Sequence, residues 1–392
     1  MNIPYTALLE QVKTYDPSTY QATRNYTNGA LTAWSPYISR GFLSPIVVMQ
    51  ELKTKFSKQA WIGLMQQMAW REYFQRVWQN KGDLILEDLK SVQSNVVLQG
   101  LPSPINEALT GIHAMDEAIA DLYNKGYLHN HLRMYIAMLH TNIFKAAWLP
   151  GAKWMYAHLL DHDPAANFLS WQWVAGTFSS KQYVANQENI NKYTNTKQLN
   201  TFLDTEYENL PHAIFDAAGQ LKSKYSAAWK QPLDEIFEID TVRFLEKLQE
   251  QNKIEPFDKS KLDQNLAFCI YNSFNLDPLW HANEKANRIL LIEPVHFAKF
   301  PIAENVLQFI IDLGISNITN LQIFVGSFEE LKNSIDKSAT KKMVKPVMYF
   351  KEHPTTLHYK GIQEERDWLF PEVTGYYPSF FGYWKKCERF LK

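Results

Sequence analysis

Asp161-His162-Asp163-Pro164-Ala165-Ala166-Asn167-Phe168-Leu169-Ser170-Trp171-Gln172-Trp173 is the stretch whose reading decides the fold. It places two carboxylates, an amide and two indoles within thirteen residues. His129-Asn130-His131-Leu132-Arg133-Met134 lies shortly upstream, on a segment, Leu128–Phe144, whose apolar residues recur at helical spacing. Asn130 and Arg133 are three apart and so share a helix face. A buried guanidinium needs a carboxylate, and Asp161 is placed to supply it. On its own such a pair reads as an ordinary ion pair. Together with the amide and the indoles it forms a set suited to a flat, redox-active, anionic cofactor.

Outward from this stretch, residues 1–210 read as mostly helical. Phe42–Phe56, Gln59–Gln79 and Ile112–Lys125 repeat the same spacing, and Ser44-Pro45 is a helix start. Pro and Gly punctuate 100–104 and 149–151. Residues 211–262 are more charged and read as a helical connector, with helices expected over Leu221–Lys230 and Asp234–Gln249. From 263 the texture changes. Leu266–Tyr271, Arg288–Ile292, Leu321–Val325 and Pro346–Phe350 are apolar runs of strand length. Asn305–Leu313 and Phe328–Ile335 read as crossover helices between them, which implies a parallel, doubly wound sheet. A final aromatic helix is expected in Pro378–Leu391.

The 392 residues suit two or three domains, and 46% hydrophobic with 21% charged residues implies a globular chain. A net charge of −1 argues against a strongly basic nucleic-acid protein, although a local basic groove needs only a few placed Lys and Arg. Cys269 and Cys387 form no CxxC pattern, so neither a disulfide framework nor a cysteine-based metal site is expected. His113, His129, His131 and His162 show no metal-ligand spacing, and no metal is expected. Met1–Tyr15 has no basic region before an apolar run, and no stretch approaches eighteen apolar residues. The expectation is a cytoplasmic protein without membrane contact.

The quoted stretches resemble the DNA photolyase/cryptochrome family. HNHLRM at 129–134 is similar to its HNRxRM segment, and DHDPAANFLSWQW at 161–173 to DGDxAxNNGGWQW. MAWREYFQ at 68–75 resembles xxWREFYR, and LTAWSPYIS at 31–39 is a weakened TSxLSPYLxxG. Tyr20 and Arg24 stand upstream as in YxxxRD, and the order of all these motifs is kept over about residues 15–190. The resemblance implies an all-helical FAD-binding domain over 1–210, which the connector at 211–262 and the C-terminal parallel-sheet, Rossmann-like domain read over 263–392 then follow. Tyr20, Thr32 and Ser35 would hold the FAD phosphates, as donors opening a helix suit an anion. Leu31 and Ala33 stand where the family often has polar residues. Arg71, Asn130, Arg133, Asp161, Asp163 and Asn167 would surround the isoalloxazine and ribose, with Asn167 facing flavin N5. Trp171 and Trp148 match the first two members of the electron-transfer chain. The third falls near Asn95 and is missing, leaving Trp61, Trp154 and Tyr127 as substitutes.

Trp70 and Trp173 match the two aromatics flanking a flipped-out lesion, whose bases stack on such walls. Asn130 and Met134 match the branch that splits cyclobutane pyrimidine dimers, rather than the (6-4) branch. Gln67 stands where that branch has Glu, and Phe168-Leu169-Ser170 replaces Asn-Gly-Gly. Lys181 and Lys192 stand in for an absent phosphate-contacting Arg. The implied activity is light-driven repair of cyclobutane dimers in UV-damaged DNA by reduced FAD, a carbon–carbon lyase. The alternatives are a cryptochrome-like blue-light sensor with a protein partner, and a (6-4) photolyase. Family members begin with a parallel α/β antenna domain. LAFCIYNSFNLDPLW at 266–280 faintly resembles its opening strand and RDLRxxDNxAL loop. Relocation of that domain to the C-terminus, as in a circular permutation, and an unrelated α/β domain both remain open. Such a domain could bind a second chromophore at the carboxyl ends of its strands, but no Gly-rich fingerprint names one.

Overall fold

The computed structural model describes residues 3–216, 220–222, 240–336 and 346–391. The helical part contains α1 (Tyr5–Thr14), α2 (Pro45–Lys55), α3 (Lys58–Lys81), α4 (His113–Lys125), α5 (Asn130–Met138), α6 (Trp148–His158), α7 (Pro164–Ala175) and α8 (Gln187–Thr194). α2 starts as its sequence predicts: Ser44 accepts the Ile46 N–H at 3.3 Å and Pro45 follows it. α5 is shorter than the apolar spacing implies, because its last turn widens into a π-type turn at Leu139–Ile143.

α7 is bounded by two local devices. Asp163 caps it through the Ala166 N–H at 3.0 Å, and Gly176 ends it with φ +83°, a left-handed conformation that glycine takes without strain. α7 packs against α3, α5 and α6. The elements carrying the recognised motifs therefore meet around one helix.

The expected connector helix Leu221–Lys230 falls almost wholly outside the described residues. Of the second connector helix, α9 is described over Thr241–Glu250. Five strands follow, β1 (Ala267–Tyr271), β2 (Ala286–Ile292), β3 (Leu321–Val325), β4 (Met348–Lys351) and β5 (Ile362–Glu364), with α10 (Pro294–Lys299), α11 (Glu304–Asn317) and α12 (Phe328–Asp336) between them and α13 (Phe380–Cys387) last. All the pairings are parallel, in the order β3-β2-β1-β4-β5. The central runs β1 and β2 are buried because both sheet faces are covered there, whereas β3 is only half-buried. Phe268 and Ile270 face Phe328, Leu331 and Ile335 of α12, whereas Cys269 and Tyr271 point into a core shared with the helical part.

The two parts meet at the carboxyl end of β1. The Leu276 N–H donates to the Arg40 carbonyl at 2.8 Å, and the Phe274 ring lies 5.0 Å from the Arg40 guanidinium. Phe274 also stacks on His353, which follows β4, at 4.4 Å and 14°. No described helix is long and apolar enough to cross a membrane.

Candidate functional site

Asp163 is the anchor of the site. It is buried, and its Oδ1 caps α7 while its Oδ2 accepts from Arg71 Nη2 at 2.9 Å and from Gln75 Nε2. Arg71 and Gln75 are four apart on α3, so one helix face presents both to one carboxylate. Two residues earlier, Asp161 Oδ2 accepts from Arg133 Nη2 at 2.8 Å, and Arg133 Nε is held by the Leu128 carbonyl at 3.0 Å. The loop 161–163 thus ties α3 to α5. These pairs use only part of their hydrogen-bonding capacity. Asp161 Oδ1 and Arg71 Nε are both buried without a protein partner. A buried unpaired polar group costs about 1–3 kcal/mol, and more when it is charged, so the set is built to receive a polar group.

Asn167 is buried on α7, with its Nδ2 donating to the Ala152 carbonyl of α6 at 2.8 Å. That assignment leaves Oδ1 as the accepting end of the amide. Asn130 is exposed at the start of α5, its Nδ2 3.9 Å from the Met134 sulfur one turn on. Tyr20, Thr32 and Ser35 are half-buried. Burial pushes the Tyr20 phenol up to about 12. Ala33 takes φ +52°, bending the chain just before Ser35.

Two residues of the site carried no sequence signal. Arg40 is fully buried with no carboxylate bonded to it, its Nη1 3.0 Å from His162 Nε2 and its Nη2 donating to the His162 carbonyl. His162 Nδ1 lies 3.1 Å from the Leu159 carbonyl, so that nitrogen carries the proton and Nε2 accepts from Arg40. Burial, with Arg40 beside it, drives the imidazole well below its usual range and keeps it neutral. Burial also lowers Arg40 to about 10.

Trp171 and Trp148 are both buried. A Cβ at Gly151 would lie 2.6 Å from Cη2 and Cζ3 of the Trp171 ring, so glycine lets Trp171 press on α6 one turn from Trp148. Of the substitutes for the missing third indole, Trp154 donates to the Tyr123 hydroxyl at 3.0 Å, Trp61 Nε1 is buried without a partner, and Tyr127 lies 6.0 Å from the Arg133 guanidinium.

Trp70 does not stand open. Phe380 of α13 stacks on it at 3.7 Å and 12°, and Phe381 approaches edge-on at 6.4 Å. Gln67 and Trp173 are half-buried, and the Trp173 ring lies 6.0 Å from Tyr183. The C-terminal segment is fastened to α3 by Glu72, a buried carboxylate that accepts from the Leu369 N–H, the Phe370 N–H at 3.0 Å and the Tyr383 hydroxyl at 2.6 Å. Burial raises the Glu72 carboxyl despite these bonds. Arg76 lies 3.5 Å from the centre of the Trp368 ring.

A cleft of about 570 Å³, open mouth included, lies between the two parts of the molecule. It is lined by Ile38 and Ser44 on one side, by Asn272 and Glu352 at the carboxyl ends of β1 and β4 on the other, and by Arg71 and Arg366. Strand order reverses between β1 and β4, the crevice where open α/β sheets hold ligands. Among the described residues no three His, Cys, Asp or Glu side chains are grouped to hold a metal ion.

A family model described as the FAD binding domain of DNA photolyase matches residues 64–210, the span carrying Arg71, Asp161, Asp163 and Asn167. The chain is 29% identical over 119 residues to a deoxyribodipyrimidine photo-lyase of Halobacterium salinarum, covering 30% of this chain and 25% of that one. A chloroplastic/mitochondrial cryptochrome DASH of Oryza sativa is 29% identical over 169 residues, covering 40% and 28%. A photo-lyase of Alkalihalophilus pseudofirmus is 24% identical over 237 residues, covering 57% and 49%. The solved Synechocystis cryptochrome aligns with a TM-score of 0.44 at 22% identity, covering 64% and 56%. The chain thus spans a quarter to a half of the length of these curated relatives. Residues 64–210 thus match the FAD binding domain of DNA photolyase, and over part of its length the chain is similar to photo-lyases and to cryptochromes DASH.

Proposed function

We propose that the protein is a blue-light-driven flavoprotein that splits cyclobutane pyrimidine dimers. The observation carrying this reading is the pair of buried orphan valences, Asp161 Oδ1 and Arg71 Nε, within the Arg71–Asp163 and Arg133–Asp161 lattice. They fit a polar, hydrogen-bonding cofactor of the kind the matched domain is named for. Bound FAD would supply the light-driven electron, a chemistry no side chain provides.

The chain's own residues would hold and tune it. Arg71, Arg133, Asp161 and Asp163 fix its polar edge, and Tyr20, Thr32 and Ser35 its phosphates. Asn167, its Nδ2 held by the Ala152 carbonyl, would turn its Oδ1 to a ring N–H of the bound cofactor. Asn130 and Met134, in contact on α5, meet the lesion with Gln67, Trp70 and Trp173. Gln67 donates to a base carbonyl but has no acidic proton to give, so it stabilises developing charge less than a carboxylic acid would.

The α/β part is read as the antenna-type domain placed after the FAD-binding domain. Its all-parallel sheet and the cleft at its strand reversal support that reading. A second chromophore would lie in the cleft.

One observation favours a second reading, a light sensor without repair. Phe380 occupies the face of Trp70 on which a flipped base would stack. The test is recovery of thymine absorbance from a dimer-containing oligothymidine under blue light, with the protein's FAD bound and reduced. Light-dependent recovery supports repair. No recovery on this substrate or on a (6-4) oligonucleotide supports the sensor.

A further inference from the structure

Trp148 is held differently from every other indole of the site. Its Nε1–H donates to Asp88 Oδ1 at 2.7 Å. Asp88 Oδ2 accepts the Gln93 backbone N–H at 2.8 Å, and Gln93 Oε1 accepts the Trp148 backbone N–H at 2.9 Å. Gln93 Nε2 in turn donates to the Ala146 carbonyl at 2.9 Å. The 88–93 loop therefore grips Trp148 by ring and backbone together. The indole is buried at 4% exposure while Asp88 is exposed, so one carboxylate joins a buried ring to solvent.

Trp171 has no such partner. Its Nε1 is buried and unbonded, and the nearby His140 ring, 5.3 Å away and edge-on, has its Nε2 committed to the Ala147 carbonyl at 2.8 Å. Of these two indoles, only Trp148 has a carboxylate on its nitrogen.

An indole N–H is a very weak acid until the ring loses an electron, when its acidity rises into the range of a carboxylic acid. A carboxylate already in hydrogen-bond contact accepts that proton with no reorganisation. The sequence near Asn95 offers no third tryptophan to carry the electron vacancy onward.

We propose that Asp88 is the proton acceptor that traps oxidised Trp148, so that the electron path ends at a carboxylate. The light-excited flavin is the oxidant. Trp171 passes one electron to it and is refilled from Trp148. The Trp148 Nε1–H bond then breaks, its proton joins Asp88 Oδ1, and the products are a neutral indole radical and a carboxylic acid. Trp148 loses one electron and one proton in all. Return of the electron is slowed because it must wait for the proton. This inference rests on the reading of Trp171 and Trp148 as the electron path of a flavoprotein.

Transient absorption after a blue pulse on the FAD-loaded protein separates the protonated from the neutral tryptophan radical. The wild type should show the neutral form. Asp88→Asn keeps the side chain's shape and one accepting oxygen for the indole but cannot bind the proton, and its protonated radical should persist roughly a hundredfold longer. In the dark, the Trp148 indole N–H proton resonance should shift strongly in Asp88→Ala and weakly in Asp88→Asn, which reports the pairing without any photochemistry. A neutral radical formed at the wild-type rate in Asp88→Asn overturns the role of Asp88 and leaves the electron path standing. A neutral tryptophan radical of wild-type yield and lifetime in Trp148→Phe overturns the path itself, and the role of Asp88 with it.

Discussion

Two faces of α3 meet different fates. Arg71 and Gln75 point to Asp163 and join a polar lattice whose orphan valences await a ligand. Trp70, Glu72 and Tyr73 are covered by the C-terminal segment, with Phe380 stacked on Trp70 and Tyr383 bonded to Glu72. The difference teaches that residues matching a family can be present while their surroundings change. A polar face built from paired charges keeps its geometry because each partner fixes the other. An aromatic wall has no such requirement, and any apolar ring can cover it.

The largest effect should follow from breaking the polar face. Asp163→Ala removes the anchor of Arg71 and Gln75 and the cap of α7, and leaves a half-buried guanidinium unpaired. Loss of one partner of a buried pair costs about 3–5 kcal/mol. Urea unfolding should show that loss, and the purified variant should retain little flavin absorbance per chain. Full flavin retention would break the comparison, because the lattice would then not be the cofactor face.

On the covered face, Phe380→Ala should cost about 3 kcal/mol, since Phe380 is buried at 3% exposure. It should also make Trp70 more accessible to acrylamide quenching. If the sensor reading holds, dimer repair stays absent in the opened variant. If Phe380 merely shields a working pocket, repair or dimer binding rises.

Between the two parts, acid tests the joint. His162, His296 and His353 are held neutral by burial, and His296 is lowered to about 3. Their folded values lie below the unfolded value of 6.5. The unfolded chain therefore takes up protons first, and stability is complete above pH 6.5 and falls as pH drops below it toward 3. Thermal unfolding at steps from pH 7 to 4 should show Tm falling by several degrees, with signals from both parts moving together. A Tm flat over that range would show that the joint does not depend on neutral histidine.

The smallest change is Gln67→Glu. It should raise dimer repair a few-fold if Gln67 meets the lesion, by supplying the proton that the amide lacks. An unchanged rate would favour the sensor.

The parts of the fold legible in sequence were those written in local periodicity. β3 matches its apolar run at both ends, and α3 and α4 differ from theirs by a residue or two. The Arg133–Asp161 pair was legible because a guanidinium on a buried helix face requires a carboxylate. Gln75 could have been found, four residues after Arg71 and on the same face. Arg40 could not, because its partner is a neutral imidazole and a carbonyl 122 residues away. Phe380 on Trp70 was equally out of reach, since stacking depends on where α13 docks and leaves no mark in spacing.

What the sequence by itself determined is most of the long helices, four of the five described strands, the loop of paired carboxylates and the order of the motifs. Each is specified by neighbours within a turn or two, where hydrogen bonding and side-chain period act. What only the tertiary structure decided is which of those side chains face a ligand and which face another part of the chain. Burial, unpaired valence and stacking arise between segments tens to hundreds of residues apart, and are set by how two sheet faces and one helix are covered.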